Sequence, residues 1–322
     1  MFTRTLGRSN ITISGLGLGC WAIGGQMWRD GKPTGWGQVD DAESLRALRR
    51  ALDMGVTFID TADVYGAGHS ERLIAQAIKG RRDQVVIATK FGHVFDAETR
   101  TQITTSGDPD YIRAACEASL QRLGIDTIDL YQFHSGQYDP NRAGEVMNVL
   151  EELVRAGKIR WYAWSTDNVE GARVFAQGEH CAAIQHRLNI LDDAPAMLAL
   201  CEQHNLASIN RNPLAMGLLT GKLSAATQFP DDDVRSSPDF NARVVGEQRL
   251  RQLAAIREVL TQGGRTLAQG ALGWLWARSP QTVPIPGFKT VAQVEENVRA
   301  LDFGPLSASQ MQAIDRLLSE TA

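Results

Sequence analysis

The sequence lacks the marks of exported, membrane-spanning and nucleic-acid-binding proteins. No apolar run reaches the roughly 18 residues that a spanning helix needs, and the chain does not open on a charged segment followed by an apolar stretch and a cleavage site. Lysine and arginine number 33 against 37 acidic residues, so there is no surplus of positive charge for phosphodiester backbones or anionic lipid. We therefore expect a cytoplasmic protein that binds neither membranes nor nucleic acid.

Cysteine is scarce as well. Cys20, Cys116, Cys181 and Cys201 are scattered without a C-x-x-C pair, which favours reduced, packed thiols over a disulfide framework or a zinc site. The histidine and cysteine spacings contain no ligand set, so no metal is expected. A G-x-G-x-x-G fingerprint is also missing, because GLGLG at Gly15–Gly19 is too short for one. A Rossmann dinucleotide site is therefore not indicated.

What the chain does contain is a regular alternation of short apolar runs with longer amphipathic segments, which is typical of a parallel barrel. Eight strands are predicted, at Ser14–Trp21, Thr57–Thr61, Val85–Lys90, Thr127–His134, Ile159–Ser165, Ala182–Arg187, Ala207–Arg211 and Thr282–Pro286. Helices are predicted after them, at Asp41–Met54, Ser70–Lys79, Asp110–Leu123, Arg142–Ala156, Val169–Gln177, Ala194–His204, Thr266–Arg278 and Val291–Ala300. The expected fold is α/β, a (β/α)8 TIM barrel that occupies residues 1–322 as one domain.

Two helical stretches and two long loops exceed the repeating units. Glu247–Thr261 and Ser307–Ser319 are predicted as extra helices outside the repeat. Gly24–Val39 and Gly221–Asn241 are rich in Gly, Pro, Asp or Ser, and each follows a predicted strand. Since barrel active sites lie at the C-terminal face, we expect these long loops to border the substrate pocket while most of their residues are solvated.

Four polar residues fall at or just beyond the ends of three neighbouring strands: Asp60 and Tyr65 after the second, Lys90 at the third and His134 after the fourth. Taken singly, each has an ordinary structural explanation as a helix cap, rim packing, a solvated lysine or a core histidine. Together they form a proton-transfer device, because a phenol with a pKa of about 10 is a poor acid near neutral pH. A nearby Lys90 ammonium would favour the phenolate, and Asp60 would keep that ammonium charged. His134 would hold the substrate carbonyl by a hydrogen bond.

The segments that carry these residues resemble the signature segments of the aldo-keto reductases. They are FIDTADVYG from Phe58, ATKFG from Ala88 and DLYQFH from Asp129, in the family's order. The resemblance runs from LGLGCW at Leu16 to IPGFKTVAQVEEN, which ends at Asn297.

This resemblance implies an enzyme, an NADP-dependent aldo-keto reductase. It would reduce a small-molecule aldehyde or ketone to an alcohol by hydride transfer from NADPH. Tyr65 would then be the general acid, Lys90 and Asp60 would tune it, and His134 would aid orientation and protonation.

The resemblance also places the nicotinamide amide near Ser165 and Gln185, at the ends of the fifth and sixth strands. Thr166 follows the serine where many relatives carry asparagine. Arg211 stands where many members place an aromatic residue on the nicotinamide ring. A guanidinium can stack on a ring, so Arg211 either takes that place or pairs with a loop carboxylate or the pyrophosphate. The same segment, INRNPLAMGLLTG, would bring three further residues to the cofactor: Pro213, Leu214 and Gly217.

The segment IPGFKTVAQVEEN resembles the family's adenosine-phosphate segment. The expected cofactor contacts in it are backbone amides at Gly287 and Phe288, phosphate contacts at Lys289 and Thr290, and adenine contacts at Gln293, Glu296 and Asn297. Because a 2′-phosphate requires a cation and donors at a helix N-terminus, Lys289 is the main reason to expect NADP(H) rather than NAD(H).

Two other functions stay open at this point. In a barrel aldolase Lys90 would form a Schiff base with the substrate. Alternatively, the chain is an NADP-binding sensor or regulatory subunit with little turnover, because some members of the family bind NADP tightly and act through protein partners. No heptad pattern or interface stripe is present, so a monomer or weak homo-oligomer is expected.

Overall fold

The structure is a computed structural model that describes residues 2–321, so residues 1 and 322 of the predicted domain lie outside the described residues. Its centre is an eight-stranded sheet in which each strand pairs in parallel with the next sheet strand along the chain. The strands are β1 (Leu18–Gly19), β2 (Phe58–Asp60), β3 (Val86–Phe91), β4 (Ile128–Phe133), β5 (Ile159–Ser165), β6 (Cys181–Arg187), β7 (Ala207–Arg211) and β8 (Thr282–Pro284).

The sheet closes into a barrel where its first and last strands meet. Gly17 N donates to Pro284 O at 2.9 Å, and Gly19 N donates to Pro286 O at 3.1 Å. Glycine suits this seam because a Cβ on Gly19 would lie 2.5 Å from the Ile285 carbonyl oxygen. The predicted (β/α)8 barrel is therefore confirmed.

Helices surround the barrel in the predicted rhythm. They are α1 (Asp41–Asp53), α2 (His69–Ala77), α3 (Pro109–Leu123), α4 (Ala143–Arg155), α5 (Val169–Phe175), α6 (Pro195–Gln203), α7 (Pro238–Val245), α8 (Glu247–Thr261), α9 (Leu267–Arg278), α10 (Val291–Phe303) and α11 (Ala308–Glu320). The two extra helices are present as α8 and α11, which pack against each other. Helix α7 was not predicted, and it begins inside the second long loop. Across residues 2–321, no helix combines the length and the apolar character needed to cross a membrane.

A hairpin that the sequence analysis did not predict closes the N-terminal end of the barrel. Thr3–Thr5 pairs antiparallel with Thr12–Ser14, and the buried Leu6 and Ile13 pack with the apolar barrel interior. The first barrel strand was expected to begin at residue 14, but Ser14 pairs with Thr3 in this hairpin. Only Leu18–Gly19 belongs to the barrel, so the prediction was too long at this end.

The two long loops are more structured than expected, and they meet over the same end of the barrel. The first contains two short strands, which form a four-stranded side sheet with the chain that follows β3; its strands are Trp28–Arg29, Lys32–Pro33, His93–Asp96 and Thr101–Thr105. Gln26 Nε2 donates to Asp232 Oδ2 at 2.8 Å, and Val234 N donates to Gly35 O at 2.8 Å. These hydrogen bonds join the first loop to the second.

Candidate active site

A cleft of about 640 Å³ opens at the carboxyl ends of the barrel strands, beneath the joined loops. Most of the residues predicted for the site line it: Asp60, Tyr65, His134, Ser165, Gln185, Arg211, Pro213, Leu214, Gly217, Gly287, Phe288, Lys289, Gln293, Glu296 and Asn297. Lys90 lies below the cleft surface and is fully buried. Thr290 is not among the lining residues, and its side chain caps α10.

The barrel strands explain why the four proton-transfer residues converge. Asp60 is the last residue of β2, Lys90 lies one residue before the end of β3, and His134 directly follows β4. Tyr65 comes from the loop between β2 and α2. Ser70 anchors that loop, because its hydroxyl donates to Cys20 O at 3.0 Å and its backbone N donates to Tyr65 O at 3.2 Å.

The Lys90 ammonium is the centre of the group. Its Nζ donates to Asp60 Oδ1 at 2.5 Å, to Thr61 O at 2.7 Å and to Tyr65 Oη at 3.3 Å. An ammonium has three protons to donate, so these three contacts satisfy it. The cation is thereby fixed against the phenol although neither Lys90 nor Asp60 is exposed to water.

The pKa of Tyr65 is shifted in the direction opposite to the one expected. Burial raises the pKa of Tyr65, and Lys90, which acts in the opposite direction, does not outweigh it. Burial alone would lower the pKa of Lys90, but Asp60 and Tyr65 reverse the direction, so the pKa of Lys90 is raised. From the sequence alone, Lys90 was expected to lower the pKa of Tyr65. The net direction is opposite because burial disfavours the phenolate more than Lys90 favours it. At neutral pH Tyr65 therefore keeps its proton and Lys90 its charge.

His134 lies beside the phenol as a neutral ring. Burial, reinforced by His93, Lys90 and Arg211, lowers the pKa of His134 well below its usual range. The ring is edge-on to Tyr65 with the centroids 6.1 Å apart, and it contacts His93 with the centroids 4.5 Å apart. A neutral imidazole has one N–H donor and one acceptor nitrogen, so His134 can hydrogen-bond a carbonyl oxygen without bringing a charge.

Asp60 has two further partners, and one of them was missed. Its Oδ2 accepts from Gln132 Nε2 and from Gln185 Nε2, each at 2.7 Å. Gln185 was predicted as a cofactor residue, whereas Gln132 was not singled out. The signal for it was present in DLYQFH, where an amide follows inward-facing Leu130 at the two-residue spacing of a strand.

Arg211 adopts one of the alternatives considered for it. Its Nη2 donates to Asp167 Oδ2 at 2.5 Å, so the salt bridge to a loop carboxylate is formed. Asp167 also accepts from the backbone N of Arg187 at 2.8 Å. The guanidinium is thus held in place at the wall of the cleft.

The N-terminus of α10 is capped by its own side chains and by one from α1. Thr290 and Gln293 form a capping box, in which Gln293 Oε1 also accepts from Lys289 N at 2.7 Å. Glu43 Oε1 accepts from Val291 N at 2.8 Å. The backbone donors of Lys289 and Val291 therefore already have protein partners. The Lys289 ammonium lies in the cleft, where it donates to a backbone carbonyl, Trp36 O, at 2.5 Å.

The side sheet and the residue before it supply a wall of the cleft. The part from the first long loop was expected there, whereas the part from the chain that follows β3 was not predicted. Met27, Arg29, His93 and Gln102 all line it, and Gln102 Nε2 lies 2.7 Å from His93 Nδ1. These residues come from two segments that pair with each other in the side sheet. Their contribution depends on pairing between distant parts of the chain, which no local pattern reports.

Comparisons with known proteins agree on one family. The profile described as the aldo/keto reductase family matches residues 15–319. An aldo-keto reductase [NADP(+)] of Schizosaccharomyces pombe is 32% identical over 308 residues, which cover 93% of this chain and 86% of that protein. The structure of a glycerol dehydrogenase of Gluconobacter oxydans matches with a TM-score of 0.85 at 31% identity, covering 99% of this chain and 96% of that one. An aldo-keto reductase of Klebsiella pneumoniae in complex with NADPH matches with a TM-score of 0.74 at 28% identity, with coverage of 99% and 96%.

Proposed function

Because the chain belongs to the aldo/keto reductase family, it is an NADP-dependent oxidoreductase of carbonyl compounds, and we propose that it reduces an aldehyde or ketone with Tyr65 as the general acid. The observation that carries this proposal is the buried Lys90 ammonium, which donates to Asp60 and to Tyr65 together. A charged lysine in this position stabilises the phenolate that remains once Tyr65 has given up its proton.

The cleft residues fit a nicotinamide dinucleotide phosphate. Gln185 turns its Nε2 toward Asp60 and Gln132, so its Oε1 remains as an acceptor for a carboxamide N–H. Lys222 and Lys289 also line the cleft, and their positive charges suit phosphate groups. Bound NADPH supplies the hydride in this chemistry. We assign cofactor binding to the predicted residues: Ser165, Gln185, Arg211, Pro213, Leu214, Gly217, Gly287, Phe288, Lys289, Thr290, Gln293, Glu296 and Asn297.

The chain's own residues bind the carbonyl oxygen and supply its proton. His134 and Tyr65 receive the carbonyl oxygen between them, and the Tyr65 Oη–H bond breaks as the oxygen takes the proton. Lys90 stabilises the negative charge left on Tyr65, while Asp60 keeps the ammonium in place. Trp21 stacks on the phenol with the ring centroids 6.1 Å apart, which restricts the directions the phenol can take.

The Schiff-base alternative finds little support in the geometry. An aldolase lysine must be reachable by the substrate carbonyl and must lose a proton to attack it. Lys90 is fully buried, its three protons are engaged and its pKa is raised. The same contacts suit a lysine that acts through a neighbouring phenol.

Turnover with a carbonyl panel tests the proposed function against the sensor alternative. Purified protein with NADPH is given aromatic aldehydes, aldoses and small ketones, and NADPH absorbance is followed. Glycerol with NADP+ is added to the panel because one structural relative is a glycerol dehydrogenase. We expect substrate-dependent oxidation of NADPH with at least one carbonyl class. NADPH binding without turnover on any member of the panel would identify a sensor instead.

We predict that Lys289→Ala raises the KM for NADPH by about tenfold, since a charge-assisted hydrogen bond contributes roughly 1.5–3 kcal/mol when well formed. The KM for NADH should stay the same, because NADH has no 2′-phosphate. Steady-state kinetics with both cofactors measure the two values. The matched control is Lys158→Ala, which removes an exposed lysine that precedes β5 at the opposite end of the barrel. Equal losses with NADPH and NADH would show that Lys289 does not recognise the 2′-phosphate.

A further inference from the structure

Gln132 lies at the meeting point of the proton-transfer group and the predicted nicotinamide site. It is fully buried in β4, where it pairs in register with Lys90 of β3. Its Nε2 donates to Asp60 Oδ2 at 2.7 Å, and its Oε1 accepts from Gln185 Nε2 at 3.0 Å. Both ends of its amide are therefore engaged by residues of the site.

The barrel brings these three side chains together. Asp60, Gln132 and Gln185 come from β2, β4 and β6, which are alternate strands. In such barrels the inward-pointing side chains of alternate strands form a common layer. The layer at the floor of the cleft is thus polar on β2, β4 and β6, whereas the next inward position on β2, Phe58, belongs to the apolar interior.

Hydrogen-bond chemistry fixes the direction of both amides. A carboxylate only accepts, so the groups that face Asp60 Oδ2 must be the NH2 groups of Gln132 and Gln185. Gln132 then has only its carbonyl oxygen left for Gln185, which uses the second proton of the Gln185 NH2 group. The amide of Gln185 is held with its NH2 group inward and its Oε1 toward the cleft.

We propose that Gln132 is a positioning residue that joins nicotinamide recognition to the proton donor. One hydrogen-bond chain runs from the Gln185 amide, through its Nε2, to Asp60 and on to Lys90 and Tyr65. Gln132 bonds both Gln185 and Asp60. This inference rests on the proposed function and deepens it. Without Gln132 the Gln185 NH2 group loses one of its two hydrogen bonds. The Asp60 carboxylate likewise loses one of the three that it accepts from Lys90, Gln132 and Gln185.

A Gln132→Glu variant tests the proposal through its pH dependence. When protonated, a glutamic acid can donate to Asp60 and accept from Gln185 as the glutamine does. When ionised, it places a second negative charge against Asp60. A buried glutamate beside another carboxylate titrates at about pH 7 to 9. We expect kcat close to that of the wild type at about pH 6, and at least about tenfold below it at about pH 9.

Two further variants distinguish the expected pH effect from a general loss of folded protein. Gln132→Leu cannot titrate, and we expect its kcat to be about tenfold lower at every pH, because it loses the same hydrogen bonds permanently. Gln310→Glu is the matched control, since Gln310 is a half-buried glutamine of α11 that bonds Val259 O and Gln262 Oε1 away from the cleft. Thermal unfolding of each variant, followed by circular dichroism, identifies any that do not fold.

The outcomes separate this proposal from the proposed function. If the wild type reduces carbonyls and the pH profile of Gln132→Glu coincides with that of the wild type, the positioning role is wrong and the function stands. If the wild type shows no turnover, the function is wrong. The positioning role is then decided by fluorescence titration with NADPH. The positioning role requires that the affinity of Gln132→Glu for NADPH fall with rising pH relative to that of the wild type. An affinity that does not change with pH relative to the wild type contradicts the role.

Discussion

A Tyr65→Phe variant is expected to reduce carbonyl compounds about a thousandfold more slowly than the wild type, because a positioned general acid contributes about 10²- to 10⁴-fold. The phenol is the group that gives its proton to the product oxygen, and phenylalanine keeps the ring but not the proton. Packing of Trp21 on the ring is retained, so the cleft keeps its shape. The dissociation constant for NADPH should therefore change little. Stopped-flow and steady-state kinetics give kcat, and fluorescence titration gives the affinity.

Tyr138→Phe is the matched control for this experiment. The Tyr138 hydroxyl is buried, makes no hydrogen bond within the described part of the chain and does not line the cleft. Its removal deletes a phenol oxygen near the same end of the barrel, so kcat should remain at the wild-type level. A Tyr65→Phe variant that turns over within about tenfold of the wild type contradicts the assignment of Tyr65, since that is less than a general acid contributes.

Lys90→Met is expected to destabilise the protein by about 3–5 kcal/mol, which is the usual cost of leaving one member of a buried ion pair alone. Asp60 is 2% exposed and would lose its only cationic partner among the described residues. Asp60→Asn should destabilise for the complementary reason, because it leaves a buried ammonium without its carboxylate. The Asp60→Asn/Lys90→Met double variant removes both charges, so its loss should be smaller than the sum of the single losses. Urea unfolding followed by tryptophan fluorescence measures each variant.

The exposed pair Arg142–Glu145 provides the comparison for this cycle. Its side chains are more than half exposed, and water screens such pairs strongly. Arg142→Met should therefore leave the unfolding midpoint unchanged. If Lys90→Met changes the midpoint no more than Arg142→Met does, or if the single losses simply add in the double variant, the buried pair is not coupled as described.

The fold was predictable where the signal is local. The strand Ile159–Ser165 was predicted with the bounds it has, because a run of β-branched and aromatic residues lies there between a glycine turn and a helix cap. The bounds of the first barrel strand were not predicted correctly. Its apolar pattern continues without a break into Thr12–Ser14, which pairs with Thr3–Thr5 in the N-terminal hairpin. The side sheet was missed for the same reason: Trp28 pairs with Thr101, far along the chain.

For the site, the sequence predicted which residues converge but not how they interact. The motifs place Asp60, Tyr65, Lys90 and His134 together because strand ends of a parallel barrel share one face. They do not report how the charges balance, because the net pKa direction of Tyr65 depends on burial. Nor do they report contacts such as that of Lys289 with Trp36, which lies 253 residues away in the sequence.

The N-terminal hairpin has a consequence for how the protein can be altered. Leu6 and Ile13 of the hairpin pack in the same apolar interior as Phe58, and Asp60 stands only two residues, about 7 Å, further along that strand. An engineer can redesign the hairpin for thermal tolerance, or the long loops for a new substrate, as separate exercises. In β2 the two redesigns affect each other. Phe58, which packs in the same apolar interior as the hairpin, and Asp60, which holds the Lys90 ammonium, belong to a single three-residue strand. Changes there trade stability against activity directly, and libraries are best designed to leave β2 untouched.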